Sequence, residues 1–212
     1  MMIVMQRKSG EQDEARPNLT KGTTTMRYEK GHKEATRQKI VEVAAAEFRR
    51  NGIEGIGVAD LMAKAGLTHG GFYSHFKSKE ELVQAAMEEA ASKSRMRKIA
   101  EEGGSLEEIV RTYLRPETRD MPERGCAIAA LVSEIGRHSL ETRKGLTSSV
   151  ERILKTIETR LPDGKADRRK TSIGIFSAMM GALQLARTVS DKQLSDKIIE
   201  AGIEAALNLA KK

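Results

Sequence analysis

Apolar residues recur at helical spacing along this chain from about residue 33 to its C-terminal end. The first stripe is formed by positions i, i+3, i+4 and i+8, namely Ile40, Val43, Ala44 and Phe48. Gly52 follows this stripe directly, as expected for a residue that ends a helix. No stretch alternates in the way that a half-buried strand requires. The pattern therefore predicts an all-α fold of about nine helices.

The later stripes, caps and breakers predict the remaining elements. A short helix over 58–65 is followed by a turn over 66–68 and a second helix over 69–76. Ser78 and Glu81 form a capping-box pattern at the start of a long helix that runs past residue 97 and ends near Gly103. Ser105 caps the next helix, and a polar loop follows over 115–124. Further helices are predicted over about 126–138, 140–161, 165–189 and 193–210.

The first 32 residues have no sustained period and are rich in Lys, Glu, Thr and Gly. This composition predicts a disordered tail over 1–32. Met26 is a plausible internal translation start. The residues before it are therefore either part of the natural protein or upstream of its true start. The tail is either passive or a basic arm that touches DNA, as N-terminal arms of other binders do.

Composition and charge narrow the function classes. The 212 residues include 37 Lys and Arg against 30 Asp and Glu, so the formal net charge is +7. A basic balance favours a polyanionic partner, with nucleic acid ahead of a membrane surface. The single Cys suits a reducing compartment, and no apolar run reaches membrane-spanning length, so we expect a cytoplasmic protein without membrane contact. No nucleophile–base pair or phosphate-binding glycine loop is recognisable, which predicts no enzyme and no cofactor.

Residues 58–82 carry the most informative pattern. Two short helices are joined by Gly66-Leu67-Thr68, in which Gly66 can adopt a positive φ and Thr68 can cap the second helix. Phe72 and Phe76, spaced i, i+4, anchor the second helix to the core and leave its other face outward. This is the layout of a helix-turn-helix, whose second helix enters the major groove of DNA.

At this point the chain resembles the TetR family of transcription regulators. The resemblance rests on Gly66-Leu67-Thr68, on Tyr73-Ser74-His75-Phe76 and on Ser78-Lys79-Glu80-Glu81-Leu82. It covers residues 33–82 by motif, about a quarter of the chain. Gly57 and Met62 depart from it, because the family usually has Ser or Thr as the cap and Ala in the turn. The resemblance implies a DNA-binding domain over 33–82 and a helical effector-binding and dimerisation domain over 83–212.

The resemblance also implies roles for individual residues. Phosphate contacts are expected from Thr68, Tyr73, His75 and Lys79, and from Thr36 or Arg37 at the start of the first helix. His69 and Gly70 are expected at base edges. His69 and His75 are six positions apart and therefore do not share a helix face, so no metal site is predicted.

The C-terminal half predicts a homodimer and an effector pocket. The last two helices are rich in apolar and small residues, which favours a four-helix bundle across a two-fold axis; the alternative is that they only form a monomer core. The predicted interface residues are Phe176, Met180, Leu183, Ile199 and Ile203. The predicted pocket residues for an unknown small-molecule effector are Tyr113, Glu134, His138, Met179 and Gln184.

Two hypotheses of function remain open beside each other. The first is a repressor that leaves a pseudo-palindromic operator when a small molecule binds. The second is a repressor that responds to oxidants or electrophiles through Cys126, which follows Arg124-Gly125 at a helix start, where a thiol pKa can be lowered. A free Cys is more often a small buried apolar residue.

Overall fold

The computed structural model describes residues 25–211, which form ten α-helices, two short 3-10 helices and no strand. The predicted all-α class is confirmed. The α-helices are α1 (Thr25–Asn51), α2 (Val58–Lys64), α3 (Lys79–Ser92), α4 (Arg95–Glu101), α5 (Leu106–Tyr113), α6 (Pro116–Asp120), α7 (Ala127–Ile135), α8 (Leu140–Glu158), α9 (Arg168–Thr188) and α10 (Lys192–Lys211). The 3-10 helices span His69–Ser74 and Pro122–Arg124.

Three elements differ from the sequence prediction. Helix α1 already begins at Thr25, inside the predicted 1–32 tail, while residues 1–24 lie outside the described part. The side chains of residues 31–35 in this helix are exposed, so this part of α1 has no buried apolar stripe. The predicted long helix is two helices, because Ser94 has an extended backbone that turns Met96 into the core. The predicted polar loop contains α6 and the second 3-10 helix, and Pro occupies the first turn of each.

The N-terminal core is built by α1, α2, the first 3-10 helix and α3. Ile40, Phe48, Leu61, Phe72 and Leu82 are each at most 1% exposed. Helix α7 closes this core with Ala127, Leu131 and Ile135. The predicted domain boundary after residue 82 thus falls within α3, which continues to Ser92.

The C-terminal core lies among α5, α8, α9 and α10. Helices α9 and α10 are antiparallel and cross closely at Gly202, where a Cβ would lie only 2.3 Å from that of Ala182. Glycine at this position therefore sets how tightly the two helices pack. No helix among the described residues is both long enough and apolar enough to span a membrane.

Candidate nucleic-acid interface

The helix-turn-helix has the predicted order and turn. Gly66 ends α2 with a φ of +71°, a conformation that L side chains rarely adopt. Phe72 and Phe76 are each 1% exposed and their rings stack with centroids 5.7 Å apart. These two rings fix the His69–Ser74 segment to α1 and α3, so the predicted anchoring is confirmed.

The segment after the turn is a 3-10 helix, whereas the sequence pattern predicted an α-helix over 69–76. Gly70-Gly71 supply no side chain that favours α-helix, which is consistent with the tighter form. Thr68 occupies the N-cap position, but its side chain makes no capping hydrogen bond. Its exposed hydroxyl is therefore not used as the predicted cap.

The outward face of this 3-10 helix is polar and exposed. The Tyr73 side chain is 68% exposed, and its ring meets Phe72 edge-on with centroids 5.2 Å apart. His69 and Gly70 are exposed beside it. The Ser74 hydroxyl donates to the Gly71 carbonyl at 2.6 Å, so it is engaged within the segment. Tyr73, His69 and Gly70 form the part of the face that is free to meet a partner.

His75 lies at the end of this segment and is half-buried. Burial lowers the pKa of His75, and the nearby Lys33 and Arg37 cations lower it further. Its Nδ1 atom is buried without a hydrogen-bond partner among the described residues. The imidazole is therefore favoured as the neutral form, which has a single N–H to donate.

The N-terminal half of α1 lies beside the same face. The Arg37 guanidinium stacks over the Phe76 ring at 4.6 Å and lies 3.9 Å from the Glu81 carboxylate. These contacts hold Arg37 against the helix-turn-helix. The Thr36 hydroxyl donates to the His32 carbonyl at 2.8 Å, so only its acceptor side remains available.

The start of α3 carries the last predicted contact. The Ser78 hydroxyl accepts from the Glu81 backbone N–H at 3.2 Å, as predicted, but the Glu81 carboxylate accepts from Lys77 rather than from Ser78. Half of the predicted capping box is therefore present. Lys79, in the first turn, lies 4.0 Å from Glu54 and is partly exposed.

Three further cations border this face and were not among the predicted residues. Lys33 acts on the pKa of His75, the Lys39 amine lies 3.7 Å from the position of a Cβ on Gly66, and Lys77 is exposed between the 3-10 helix and α3. Lys33 and Arg37 are spaced i, i+4 on α1, a signal that the sequence contains. The positions of Lys39 and Lys77 follow from how the helices pack.

Comparison with known proteins agrees with this geometry. The family model described as "Bacterial regulatory proteins, tetR family" matches residues 40–86. The HTH-type transcriptional regulator TtgR of Pseudomonas putida is 38% identical over 63 residues, which is 30% of each chain. The match thus spans less than a third of this curated relative.

Solved structures extend the similarity of fold to both domains. A TetR-family regulator from Cytophaga hutchinsonii superposes with a TM-score of 0.69 over 84% of this chain and 96% of its own, at 21% identity. The reduced form of E. coli NemR gives 0.67 over 82% and 96%, at 19% identity. Residues 40–86 therefore match the DNA-binding domain of the TetR family, and the chain as a whole shares the fold of these regulators.

Two adjoining cavities, of about 280 and 500 Å³, lie beside α3 and α4, and the smaller one is also lined by residues of α1. They share six lining residues: Ala90, Ser94, Met96, Gly125, Cys126 and Ile153. Of the five predicted pocket residues, Tyr113 lines the smaller cavity. Burial raises the pKa of Tyr113 well above its usual value, and the neighbouring Cys126 raises it further. The Tyr113 hydroxyl has no hydrogen-bond partner among the described residues.

The other four predicted pocket residues do not line either cavity. The Glu134 carboxylate accepts from the backbone N–H groups of Ile53 and Glu54, just after α1, at 2.8 and 3.2 Å. His138 is bound to Glu80 at 2.8 Å. Met179 is fully buried in the C-terminal core, and the Gln184 amide donates to the Ala129 carbonyl. Met179 is buried and the other three are half-buried, but all four contact packed elements and do not line a cavity.

The five predicted dimer residues fall into a buried group and a partly exposed group. Phe176, Leu183 and Ile199 are at most 6% exposed within a single chain, so they are part of its own core and are not available to a partner. Met180 and Ile203 are partly exposed. The exposed apolar side chains of α9 and α10 are instead Ile173, Leu185, Leu194 and Leu209, at 46%, 59%, 46% and 38%.

Proposed function

We propose that this protein is a transcription regulator of the TetR family that binds double-stranded DNA through the face of the His69–Ser74 helix. The observation that carries the proposal is the position of Tyr73. Its ring is fixed against buried Phe72 while 68% of the side chain stays exposed. Cations on α1 and α3 border this face, as phosphate contacts require. Such a regulator works in the cytoplasm, where the bacterial chromosome lies, and requires no catalysis.

DNA binding is best tested with the full chain and a selection from random-sequence duplexes, followed by anisotropy with the selected duplex. We expect binding that weakens steeply as the salt concentration rises, because phosphate contacts release counterions. The double variant Tyr73→Ala, Lys79→Ala should lose this binding, while Lys98→Ala, a loss of one exposed cation on α4, should keep it. Failure to enrich any duplex, with a folded protein, would refute the proposal.

We further propose that the protein represses transcription and is released from DNA when a small molecule binds in the two adjoining cavities. Support comes from the contacts between its walls and the DNA-binding domain. Arg49, near the end of α1, donates through Nε to the Glu123 carbonyl at 2.8 Å, and Arg50 lies 3.2 Å from the Glu123 carboxylate. Glu123 itself lines the smaller cavity. A ligand that displaces the Pro122–Arg124 turn would therefore move α1.

A second link lies at the start of α3. The Glu80 carboxylate accepts hydrogen bonds from Ser139 at 2.8 Å and from Thr142, and it is bound to His138 at 2.8 Å. Glu80 directly follows Lys79, which we expect to contact a phosphate. Movement of α7 and α8 around a ligand would thus tilt the start of α3 relative to DNA.

Homodimerisation through the exposed faces of α9 and α10 completes the proposal. Four of the seven large apolar side chains that are exposed in the described residues lie on these two helices. Because α9 and α10 are antiparallel, Ile173 and Leu209 lie at one end and Leu185 and Leu194 at the other. A two-fold axis through this face would pair the DNA-binding segments for a pseudo-palindromic site.

The response through Cys126 is a second candidate, supported by one observation: this half-buried thiol lines both cavities. A small electrophile in the cavity would therefore reach it. Loss of DNA binding after treatment with an alkylating agent, abolished in Cys126→Ser, would favour this candidate. DNA binding that survives the treatment, or is lost equally in Cys126→Ser, would reject it.

A further inference from the structure

The larger cavity has one aliphatic wall and one polar wall. Helices α3, α4 and α7 supply aliphatic side chains that are mostly small, and the residues of this wall are Met87, Ala90, Ala91, Met96, Ala100, Ala127 and Ile128. Among residues 31–211, no aromatic side chain lines this cavity. The wall therefore favours a flexible aliphatic body over a flat ring system, which would need a stacking surface.

The facing wall is a polar stripe on α8. Ser149, Arg152, Thr156 and Thr159 follow one another at helical spacing and all line the cavity. The Arg152 guanidinium donates to the Ser149 hydroxyl at 2.9 Å, which orients it along this wall. An anionic group at this position would receive a charge-assisted hydrogen bond from Arg152.

The charges around the larger cavity are unbalanced. In the part of the chain that the structure describes, the cations Arg97, Arg152, Lys155 and Arg160 line it together with one carboxylate, Glu101. Arg97 is paired with that carboxylate at 2.7 Å. Lys155 lies 3.8 Å from Glu158. The Arg160 guanidinium is already used, since it donates to backbone carbonyls that include Gly104 at 2.8 Å.

Arg152 differs from these three cations. Within the described residues no carboxylate lies within ion-pair distance of it, and its one side-chain partner is neutral Ser149. Arg152 is exposed on the cavity wall, so a carboxylate that enters the cavity could pair with it without displacing an existing ion pair.

We infer that the effector of this protein is an aliphatic carboxylate whose chain lies on the α3–α4–α7 wall and whose carboxylate binds Arg152. The inference rests on the proposed function in that it names the ligand class of the same regulatory cavity. With volumes of about 500 and 280 Å³, the two cavities have the size of a small-molecule pocket. The polar side of the cavity lies on α8, the helix whose start also binds Glu80.

Direct titration of the full chain without DNA tests the ligand class. The probes are dodecanoate and dodecyltrimethylammonium below their micelle concentrations, dodecanol below its solubility limit, and 2-naphthoate as an aromatic anion. We expect dodecanoate to bind at least about tenfold more tightly than dodecanol, because a hydrogen bond between charged groups contributes more than a neutral one. Equal affinity for the three aliphatic probes, or preference for naphthoate, would overturn the inference.

Substitutions of Arg152 test the position of the carboxylate. In Arg152→Met the preference for dodecanoate over dodecanol should disappear, and in Arg152→Lys it should be largely restored. Arg143→Met is the matched control, because Arg143 is exposed on the opposite side of α8 and lines neither cavity. A preference that persists in Arg152→Met would refute the assignment of Arg152.

A parallel measurement with the selected duplex separates the two proposals. A protein that binds DNA but none of the four probes would refute this inference and leave DNA binding intact. A protein that binds dodecanoate through Arg152 but binds no duplex would leave the ligand class intact and refute the proposed function. Loss of DNA affinity on adding dodecanoate, absent in Arg152→Met, would support both.

Discussion

At the residue scale, neighbouring aromatic residues have opposite environments. Phe72 is 1% exposed and belongs to the core, whereas Tyr73 is 68% exposed and only its ring edge rests on Phe72. Exposing a large ring to water gains no hydrophobic stabilisation, so its presence is not explained by stability of the folded chain. Under the proposed function DNA covers this ring, and the hydroxyl is the group that a phosphate would bind.

Removing only this hydroxyl gives a sharp test. We expect Tyr73→Phe to lower the affinity for the selected duplex by roughly tenfold, because a hydrogen bond to a charged phosphate is lost. The loss should be similar for all DNA sequences, since phosphates carry no sequence information. Anisotropy titrations measure it. The matched control is Tyr113→Phe, which removes a buried hydroxyl far from this face and should leave DNA affinity unchanged.

Gly70 permits a second test at this scale. A Cβ on Gly70 would meet no protein atom within 4 Å, so the fold itself does not require glycine there. We expect Gly70→Ala to retain or raise the melting temperature, with a gain of at most about 1 kcal/mol. If a base edge approaches this position, DNA affinity should fall at the same time.

The control for this substitution is Gly145→Ala. Gly145 lies in α8, and a Cβ on it likewise meets no atom within 4 Å. It should stabilise the protein in a similar way without changing DNA affinity. Unchanged DNA affinity in Gly70→Ala would contradict the close approach that we expect.

At the element scale, the start of α3 is held by the C-terminal domain as well as by its own cap. Burial by itself would raise the pKa of Glu80, but hydrogen bonds from Thr142, His138 and Ser139 outweigh it and lower that pKa to about 2. The ionised carboxylate is therefore favoured by folding. Because these donors lie on α8 or just before it, the contact couples α3 to the loop between α7 and α8.

The pKa of Glu80 predicts an acid dependence of stability. Since the folded-state pKa is about 2 and the ordinary value is 4.5, the stabilisation is complete above pH 4.5 and is lost as the pH falls towards 2. We expect Glu80→Gln to lower the free energy of unfolding at pH 7. Its difference from the natural protein should shrink over this window.

Urea titrations at a series of pH values measure the effect. Glu88→Gln is the control, because Glu88 is exposed on the same helix, and its difference from the natural protein should be small throughout. A difference for Glu80→Gln that is the same at pH 7 and at pH 3 would contradict the assigned hydrogen bonds.

At the scale of the whole molecule, the proposed dimer face is an apolar surface of α9 and α10 that a single chain leaves uncovered. Leu185, at the end of α9, is 59% exposed, and Leu194, at the start of α10, is 46% exposed. We expect Leu185→Glu to raise the dimer dissociation constant by at least about a hundredfold, because burying an unpaired carboxylate costs several kcal/mol. Analytical ultracentrifugation measures the change.

Leu140→Glu provides a matched control for this prediction. Leu140 is 61% exposed at the start of α8, away from the α9–α10 pair, so the same change there should leave the dimer intact. Weaker binding to a two-fold-symmetric duplex should accompany Leu185→Glu alone. A monomeric natural protein, or a dimer that is insensitive to Leu185→Glu, would place the interface elsewhere.

Local sequence signals predict the helices and the helix-turn-helix. Helical spacing, the Gly66 turn and the pair Phe72 and Phe76 are local properties, and local properties are readable without knowledge of the fold. Ser105 likewise caps α5 with both hydrogen bonds of a capping box, as its spacing from Glu108 allows. The same reasoning overextended the tail to residue 32, because residues 25–32 are helical although their sequence has no apolar stripe.

The surroundings of each C-terminal side chain depend on tertiary packing and could not be predicted from the sequence. Helical periodicity indicates that Leu183 and Met179 lie on an apolar helix face. It does not distinguish a face that packs into the chain's own core from one that lines a cavity or contacts a partner chain. The partners of Glu80 and Glu134 depend on contacts between helices that are distant in sequence, which no local spacing encodes. The cavity walls and the exposed apolar face of α9 and α10 therefore follow from packing, whereas the helix-turn-helix motif is recognisable from sequence.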